Sequence, residues 1–194
     1  MDYFISSDFN LKDNVCQYFD TYQCFHTKEH SLQVVKESQK LAQKFHVDMD
    51  KCYQAALLHD ISAVISPQKM MDIALSHQWE IDPAEKKYPF LLHQRISALI
   101  AQTVFKIEDQ DILSAIACHT TLKKNASDID MVVFLADKFK WDQKGEPPYL
   151  HVIQKGLDIS LKKASYMFLD EQLKNQRILY PHQWLKEAYD DLKK

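Results

Sequence analysis

The sequence predicts an all-α protein built as a helical bundle, and three observations carry that prediction. Glycine occurs only twice in 194 residues, at Gly145 and Gly156. Tight hairpin turns draw heavily on glycine for positive φ, so a chain this poor in it is badly equipped for β-hairpins. Apolar residues recur at three- and four-residue intervals along most of the chain, the period of a helix with one buried face. Start signals in which a capping residue precedes proline occur at Ser66-Pro67 and Asp82-Pro83.

In chain order, Leu32, Val35, Leu41 and Phe45 share one face of a helix from about Lys28 to Phe45. Asp50 reads as the N-cap of a helix from Cys52 to about Ile61. Ser66-Pro67 opens a helix through Met70, Met71, Ile73, Ala74 and Leu75, and Asp82-Pro83 opens another. Pro89 begins a segment carrying Leu92, Ile96, Leu99, Ile100 and Val104. Asp109 or Asp111 leads Ile112, Ala115 and Ile116 up to His119. A polar link, 120–128, precedes the apolar stretch Ile129 to Ala136, which ends in Asp137. Residues 141–148 form the clearest loop, with Gly145 and Pro147-Pro148. A long helix is expected from about Tyr149 to Gln172, and Pro181 opens a last one through Trp184, Leu185 and Leu192. No repeat or linker interrupts the pattern, so residues 1–194 are expected to form one domain. Its core spans about 25–165, followed by a C-terminal helical extension, 166–194.

Composition excludes several function classes. Hydrophobic residues make up 46%, charged residues 26%, and the formal net charge is -3. No basic arm or stripe stands out, so a nucleic-acid partner is not expected. Two glycines cannot build a phosphate-cradling Walker loop or a dinucleotide-binding fingerprint. No apolar run approaches the roughly 20 residues of a membrane span. The segment Met1 to Asp8 lacks the basic and apolar regions of a signal peptide. Cys16, Cys24, Cys52 and Cys118 are scattered without a C-x-x-C pair. A cytoplasmic protein with reduced thiols is the expectation.

The chemistry lies in the histidines and aspartates. His59-Asp60 closes the run Tyr53-Gln-Ala-Ala-Leu-Leu, setting an imidazole and a carboxylate at the edge of a core. A buried carboxylate needs compensation, and a metal ion is the simplest. The same context recurs at His30, His93, His119 and Asp137. Successive spacings along the six residues are 29, 1, 33, 26 and 18, so all but the adjacent pair belong to different helices. Helices of a bundle can aim such residues at one interior point. Imidazoles and carboxylates without a thiolate suit iron, manganese, zinc or nickel. Six ligands exceed what one catalytic metal uses, but fit two metals about 3.5–4 Å apart sharing a carboxylate, a geometry used for phosphate-ester hydrolysis. Asp60 is the natural bridge. His46, His77, His151 and His182 sit in polar, helix-end or tail contexts and read as ordinary residues, His182 being the tail one.

These residues resemble the HD-domain superfamily of metal-dependent phosphohydrolases. The segments His30-Ser-Leu-Gln-Val, Ala56-Leu-Leu-His-Asp-Ile, Leu91-Leu-His, Ala115-Ile-Ala-Cys-His-Thr-Thr and Phe134-Leu-Ala-Asp-Lys are similar to its YqeK-type branch. The resemblance covers roughly 25–165. It implies an all-α di-iron enzyme that splits diadenosine tetraphosphate symmetrically into two ADP. It further implies His30, His59, Asp60 and Asp137 around one metal, and Asp60, His93 and His119 around the other. A water bridging the metals would be the nucleophile, with Asp60 and His59 central to catalysis.

The chain departs from that pattern around the ligands. Ala63 stands where the branch usually has lysine, Gln94 where it has glycine after the third histidine, and Leu122 where it tends to have glycine. Thr27 and Lys28 replace an arginine before the first histidine, and the loop after Asp137-Lys138 differs. Phosphates of a substrate call for cations. Arg95, Lys123, Lys124 and Lys138 are candidates by their proximity to ligands in sequence, and Thr120 is a candidate hydrogen-bonding partner. His26 shares a helix face with His30 and is a candidate proton donor. Trp141 and the loop to Tyr149 hold aromatic groups suited to a base. The competing expectation is a noncatalytic nucleotide sensor that keeps the bundle. The C-terminal segment either packs home or onto a second subunit as a homodimer.

Overall fold

The computed structural model describes residues 10–141 and 145–194. All regular structure among them is helical. Helix α1 is Leu11–Thr21, α2 Phe25–Phe45, α3 Met49–Leu58, α4 Pro67–Ser76 and α5 Pro83–Lys87. They are followed by α6 His93–Thr103, α7 Gln110–Cys118, α8 Asp128–Phe139, α9 Leu150–Leu157, α10 Leu161–Lys174 and α11 Gln183–Leu192. Short 3₁₀ turns at Ile61–Val64 and Pro89–Leu92 follow α3 and precede α6. The expected signal-peptide-free segment Met1 to Asp8 lies outside the described residues.

Most helix starts rest on side-chain caps that satisfy backbone N–H groups left open in the first turn. Ser66 caps α4 and Asp82 caps α5, as their proline-marked starts predict. Asp109, Ser127 and Ser160 cap α7, α8 and α10. Helix α3 begins at Met49, three residues before the expected Cys52, because Asp48 rather than Asp50 is the cap and accepts from the Lys51 N–H. Helix α1, for which the sequence offered no start signal strong enough to name, is capped by Asn10.

The centre of the bundle is α3 and α8, largely apolar on their inner faces. Ala55 to Leu58 and Val132 to Ala136 are buried. Helix α2 packs on both, α7 lies against α3, α6 and α8, and the α9–α10 pair covers the far side of α8. The long helix expected from Tyr149 to Gln172 is two antiparallel helices. Ser160 takes an extended conformation and starts α10 afresh, its hydroxyl accepting from the Lys163 N–H. Gly156 makes the close pairing feasible: a Cβ there would lie 2.3 Å from the Ala164 Cα. No helix among the described residues is long and apolar enough to cross a membrane.

Helix α11 returns to the front of the bundle. Its N-cap, His182, is buried and accepts from the Trp184 N–H through Nδ1. The sequence had assigned it to the tail. The Asp82 carboxylate that caps α5 also accepts from the Gln183 N–H. One aspartate thereby ties two helix starts together across 101 residues.

Candidate metal centre and its cleft

Three of the histidines are set by the same local device. His59 and His119 are the C-cap residues of α3 and α7, and His93 closes the second 3₁₀ turn. In each, Nδ1 approaches the carbonyl three residues earlier: Ala56 at 2.7 Å, Phe90 at 2.8 Å and Ile116 at 2.8 Å. A carbonyl only accepts, so each Nδ1 must be the protonated donor. The tautomer is thereby fixed, and each Nε2 lone pair faces the interior point where the three meet. His59, His93 and His119 are buried, while His30 and Asp137 retain slight exposure.

Asp60 lies between two groups of donors. Its Oδ2 is 3.4 Å from His59 Nε2 and 3.9 Å from His30 Nε2. Its Oδ1 is 3.4 Å from His119 Nε2 and 3.6 Å from His93 Nε2. Among the described residues, two triplets could therefore hold a metal ion, His30, His59, Asp60 and Asp60, His93, His119, each with all donor atoms within 4.8 Å of one another. Asp137 belongs to neither triplet, but its Oδ1 lies 3.1 Å from His30 Nε2 and 3.6 Å from His59 Nε2.

The donors fit cations. His93 Nε2 and His119 Nε2 stand 3.0 Å apart. With both Nδ1 atoms protonated, two lone pairs face each other, an arrangement that an electrophile between them relieves. His59 Nε2 is buried without a hydrogen-bond partner among the described residues, although two carboxylates lie close. Electrostatics express the same demand. Burial pushes the His59 value down, but Asp60 and Asp137 outweigh it and raise it to about 10. Burial would raise Asp60, yet His59 and His119 hold it well below the carboxylate range. Asp137 is likewise held low against its burial, chiefly by Lys138 and His30. Burial and the neighbouring His119 push His93 down to about 4, and burial lowers His119. These imidazoles are neutral ligands near neutral pH. Two ionised carboxylates, the neutral nitrogens of His93 and His119, and a His59 proton held by the two carboxylates where a cation would replace it match the donor chemistry of first-row divalent metals.

Five of the six donors, all but the fully buried His59, line a cleft of about 600 Å³. Thr120 lines it and donates its hydroxyl to His93 Nε2 at 3.0 Å. Lys138 lines it too, paired with Asp137 Oδ2 at 2.6 Å and donating to the His119 carbonyl. Trp141 and Tyr149 form one end, with ring centroids 5.9 Å apart, and His26 and Ala63 lie on the walls. The indole Nε1 of Trp141 is buried without a partner among the described residues.

Three candidate cations are elsewhere. Arg95 points away from the cleft: its guanidinium pairs with the buried Glu85 at 3.2 Å, donates to the Glu80 carbonyl and stacks over Trp79. Residues two apart on a helix face directions about 200° apart, so His93 and Arg95 cannot share a target. Lys123 Nζ donates to Ser114 Oγ at 2.7 Å and lies 3.6 Å from Asp130, on the opposite side of α7. Lys124 is exposed and does not line the cleft. The turn explains both lysines. Leu122 adopts φ +59° and reverses the chain, while its side chain is fully buried. Glycine reaches that conformation without strain; here packing of the leucine offsets the strain.

Gln94 is a site residue that sequence reasoning recorded only as a departure. Fully buried, it accepts through Oε1 from the Thr120 and Thr121 N–H groups at 3.2 and 3.3 Å and donates through Nε2 to Thr121 Oγ1 at 3.1 Å. It pins the turn after His119 to the start of α6, and so sets His119 against His93. The one sequence signal for it was a polar amide beside an apolar-edge histidine.

The HD domain family matches residues 27–142, which contain all six donors. The chain belongs to the HD domain family. It is 36% identical over 146 residues to a Lactococcus lactis subsp. cremoris protein described as an uncharacterized protein in the pepC 5' region, covering 75% of this chain and 74% of that one. It is 30% identical over 115 residues to the symmetrical bis(5'-nucleosyl)-tetraphosphatase of Halalkalibacterium halodurans, covering 58% of this chain and 59% of the relative. A crystal structure described as a predicted HD superfamily hydrolase involved in NAD metabolism, from Clostridium acetobutylicum, superposes with a TM-score of 0.83 at 26% identity. The match covers 93% of this chain and 96% of that one. The all-α fold and the HD-domain family implied by the ligand segments are thus both established.

Proposed function

We propose that this HD-domain protein hydrolyses a dinucleoside polyphosphate such as diadenosine tetraphosphate, releasing ADP, at a centre of two divalent metals held by His30, His59, Asp60, His93, His119 and Asp137. The observation that carries the reading is the division of Asp60: one carboxylate oxygen faces each donor triplet, at the floor of a cleft open to an anionic substrate. Iron is the metal that the family resemblance favours, and the same donors accept manganese, zinc or nickel. The whole chain acts in this reading as one cytoplasmic HD-type unit, with 166–194 as a helical extension.

Two bound divalent metals would supply Lewis-acid polarisation of phosphoryl oxygens and a nucleophile from water near neutral pH. The chain's residues do the rest. The carbonyls of Ala56, Phe90 and Ile116 hold the three imidazoles in one tautomer and orientation. Asp60 keeps its negative charge between the triplets. Lys138, anchored by Asp137, presents a cation at the cleft wall for a phosphate oxygen. Thr120 offers a hydroxyl beside His93. The Trp141–Tyr149 end suits an aromatic base, with the indole N–H as a donor to its edge.

Elemental analysis combined with a hydrolysis screen over dinucleoside polyphosphates, mononucleotides and simple phosphomonoesters tests the reading. The expected result is about two metal ions per chain and preferred cleavage of the dinucleoside substrate. Protein that neither carries metal nor binds added iron or manganese overturns the enzyme reading. Two metals without cleavage of any substrate favours a nucleotide sensor, the alternative that Ala63 on the cleft wall makes worth testing.

A further inference from the structure

The cleft continues into a second groove that the donor set does not explain. Phe90 and Pro67 line both. The groove is of about 540 Å³ and is otherwise formed by Lys87 to Leu91 and by Arg177 to Tyr180, the strand of chain between α10 and α11. Its rings are unusually open: Tyr88 is 42%, Phe90 56% and Tyr180 49% exposed. Such side chains clustered on a surface mark a binding site more often than they are left bare. Phe90 is stacked on His93 with centroids 4.6 Å apart and an interplanar angle of 10°, so one face is used and the other is free for the groove. Tyr88 and Tyr180 meet edge-on at 5.8 Å.

Charge points the same way. Among the described residues lining the metal cleft, Lys138 is the one lysine or arginine, and Asp137 already neutralises it. A polyphosphate chain leaving the metals needs further cations. Lys87 lies over the Tyr180 ring at 5.8 Å, and Arg177 flanks the groove with part of its charge committed to Glu171 at 3.3 Å. Open aromatic faces interleaved with cations are the chemistry that holds a nucleoside phosphate by stacking and charge.

We infer that the groove of Tyr88, Phe90 and Tyr180, with Lys87 and Arg177, is a subsite for the second nucleoside of a two-headed nucleotide whose first phosphates lie at the metal donors. The inference rests on the hydrolytic reading above and adds where specificity for two nucleosides, rather than one, resides. Phe90 is the hinge between the halves, because it touches a metal-donor histidine on one face and the groove on the other.

The test compares wild type with Tyr180→Ala, Tyr180→Phe and Arg177→Gln. Calorimetry gives the affinities of a non-hydrolysable diadenosine tetraphosphate analogue and of ADP, and kinetics give KM for diadenosine tetraphosphate. Loss of one base–aromatic stack weakens binding by about tenfold. Tyr180→Ala is therefore expected to weaken the analogue about tenfold more than ADP and to raise KM in step. Tyr180→Phe, which keeps the ring, restores both, and Arg177→Gln weakens the analogue alone. Equal losses for analogue and ADP, or no loss, overturn the subsite while leaving the hydrolytic reading intact. Wild type that binds the analogue no tighter than ADP and cleaves no dinucleoside polyphosphate overturns the reading on which the subsite rests. Circular dichroism confirms folding of each variant, and Arg177→Gln, with a loss expected for the analogue and not for ADP, carries the test if Tyr180→Ala fails to fold.

Discussion

Replacing Gln94 by leucine removes a polar clamp at nearly constant volume. Four contacts meet at this amide: Oε1 with the Thr120 N–H, the Thr121 N–H and Thr121 Oγ1, and Nε2 with Thr121 Oγ1. The Thr121 hydroxyl keeps a partner, because its one proton can go to the Leu122 carbonyl at 2.9 Å, the shorter of its two acceptor contacts. The two N–H groups do not. A buried donor left without an acceptor costs about 1–3 kcal/mol. Thr121 N–H is buried and takes that cost in full, while Thr120 N–H is part-buried and regains some of it from water. The sum is a destabilisation of about 2–4 kcal/mol. Urea unfolding of the metal-free protein, monitored by far-ultraviolet circular dichroism, reads it directly. A second effect separates clamping from mere packing. The turn carries His119 and Thr120, which face His93, so losing the clamp loosens a donor triplet. Metal affinity is expected to fall by about ten- to a hundredfold, the usual effect of removing a residue that orients a ligand. A stability change under about 0.5 kcal/mol with unchanged metal affinity would refute the assignment, since no surface-like position could fill the role described.

Replacing Asp60 by alanine is expected to abolish hydrolysis and lower both metals per chain, measured by elemental analysis; loss of a single metal would sink the shared role of its carboxylate. Glu85→Gln probes the acid limb of stability. The Glu85 carboxyl is held below its ordinary 4.5, burial being outweighed by His182, the Asp82 backbone and Arg95. A depressed folded value adds stability that is complete above the unfolded value and is lost as pH falls through the folded one. Wild type should therefore lose its advantage over Glu85→Gln below about pH 4.5, in urea midpoints taken from pH 3 to 7; parallel curves would contradict this. Leu122→Gly relieves about 1 kcal/mol of left-handed strain but empties a fully buried site worth about 2–5 kcal/mol, so a net loss of about 1–4 kcal/mol in unfolding free energy is expected. A stabilised Leu122→Gly protein would show that strain, not packing, governs the turn.

Local chemistry was the legible part. Ser66-Pro67 and Asp82-Pro83 announced α4 and α5, because a cap and a fixed φ act within four residues. The six donors could be named because each stands at the edge of an apolar run, and the fold brings them together. What failed was direction. Arg95 follows His93 in sequence but leaves α6 on another side, where Glu85 waits. Lys123 and Lys124 follow His119, but the reversal at Leu122 carries them off the cleft. The break between α9 and α10 was hidden because both helices keep an apolar face in register with the other, and only Ser160 marks the new start. His182 looked like a tail residue because its partner, Glu85, lies 97 positions away in sequence, at 3.5 Å in space.

The histidine-to-carbonyl contacts at residues 56, 90 and 116 bear on how such a protein can change over generations. Each imidazole takes its aim from its own helix end, within one turn of chain, and owes nothing of that aim to the connecting segments. Insertions or deletions between the donor segments are then tolerated as long as the helix ends still converge. The three residues before each histidine are not free in this way. Loops around the cleft can therefore drift, lengthen and acquire new substrates while the inorganic centre stays fixed.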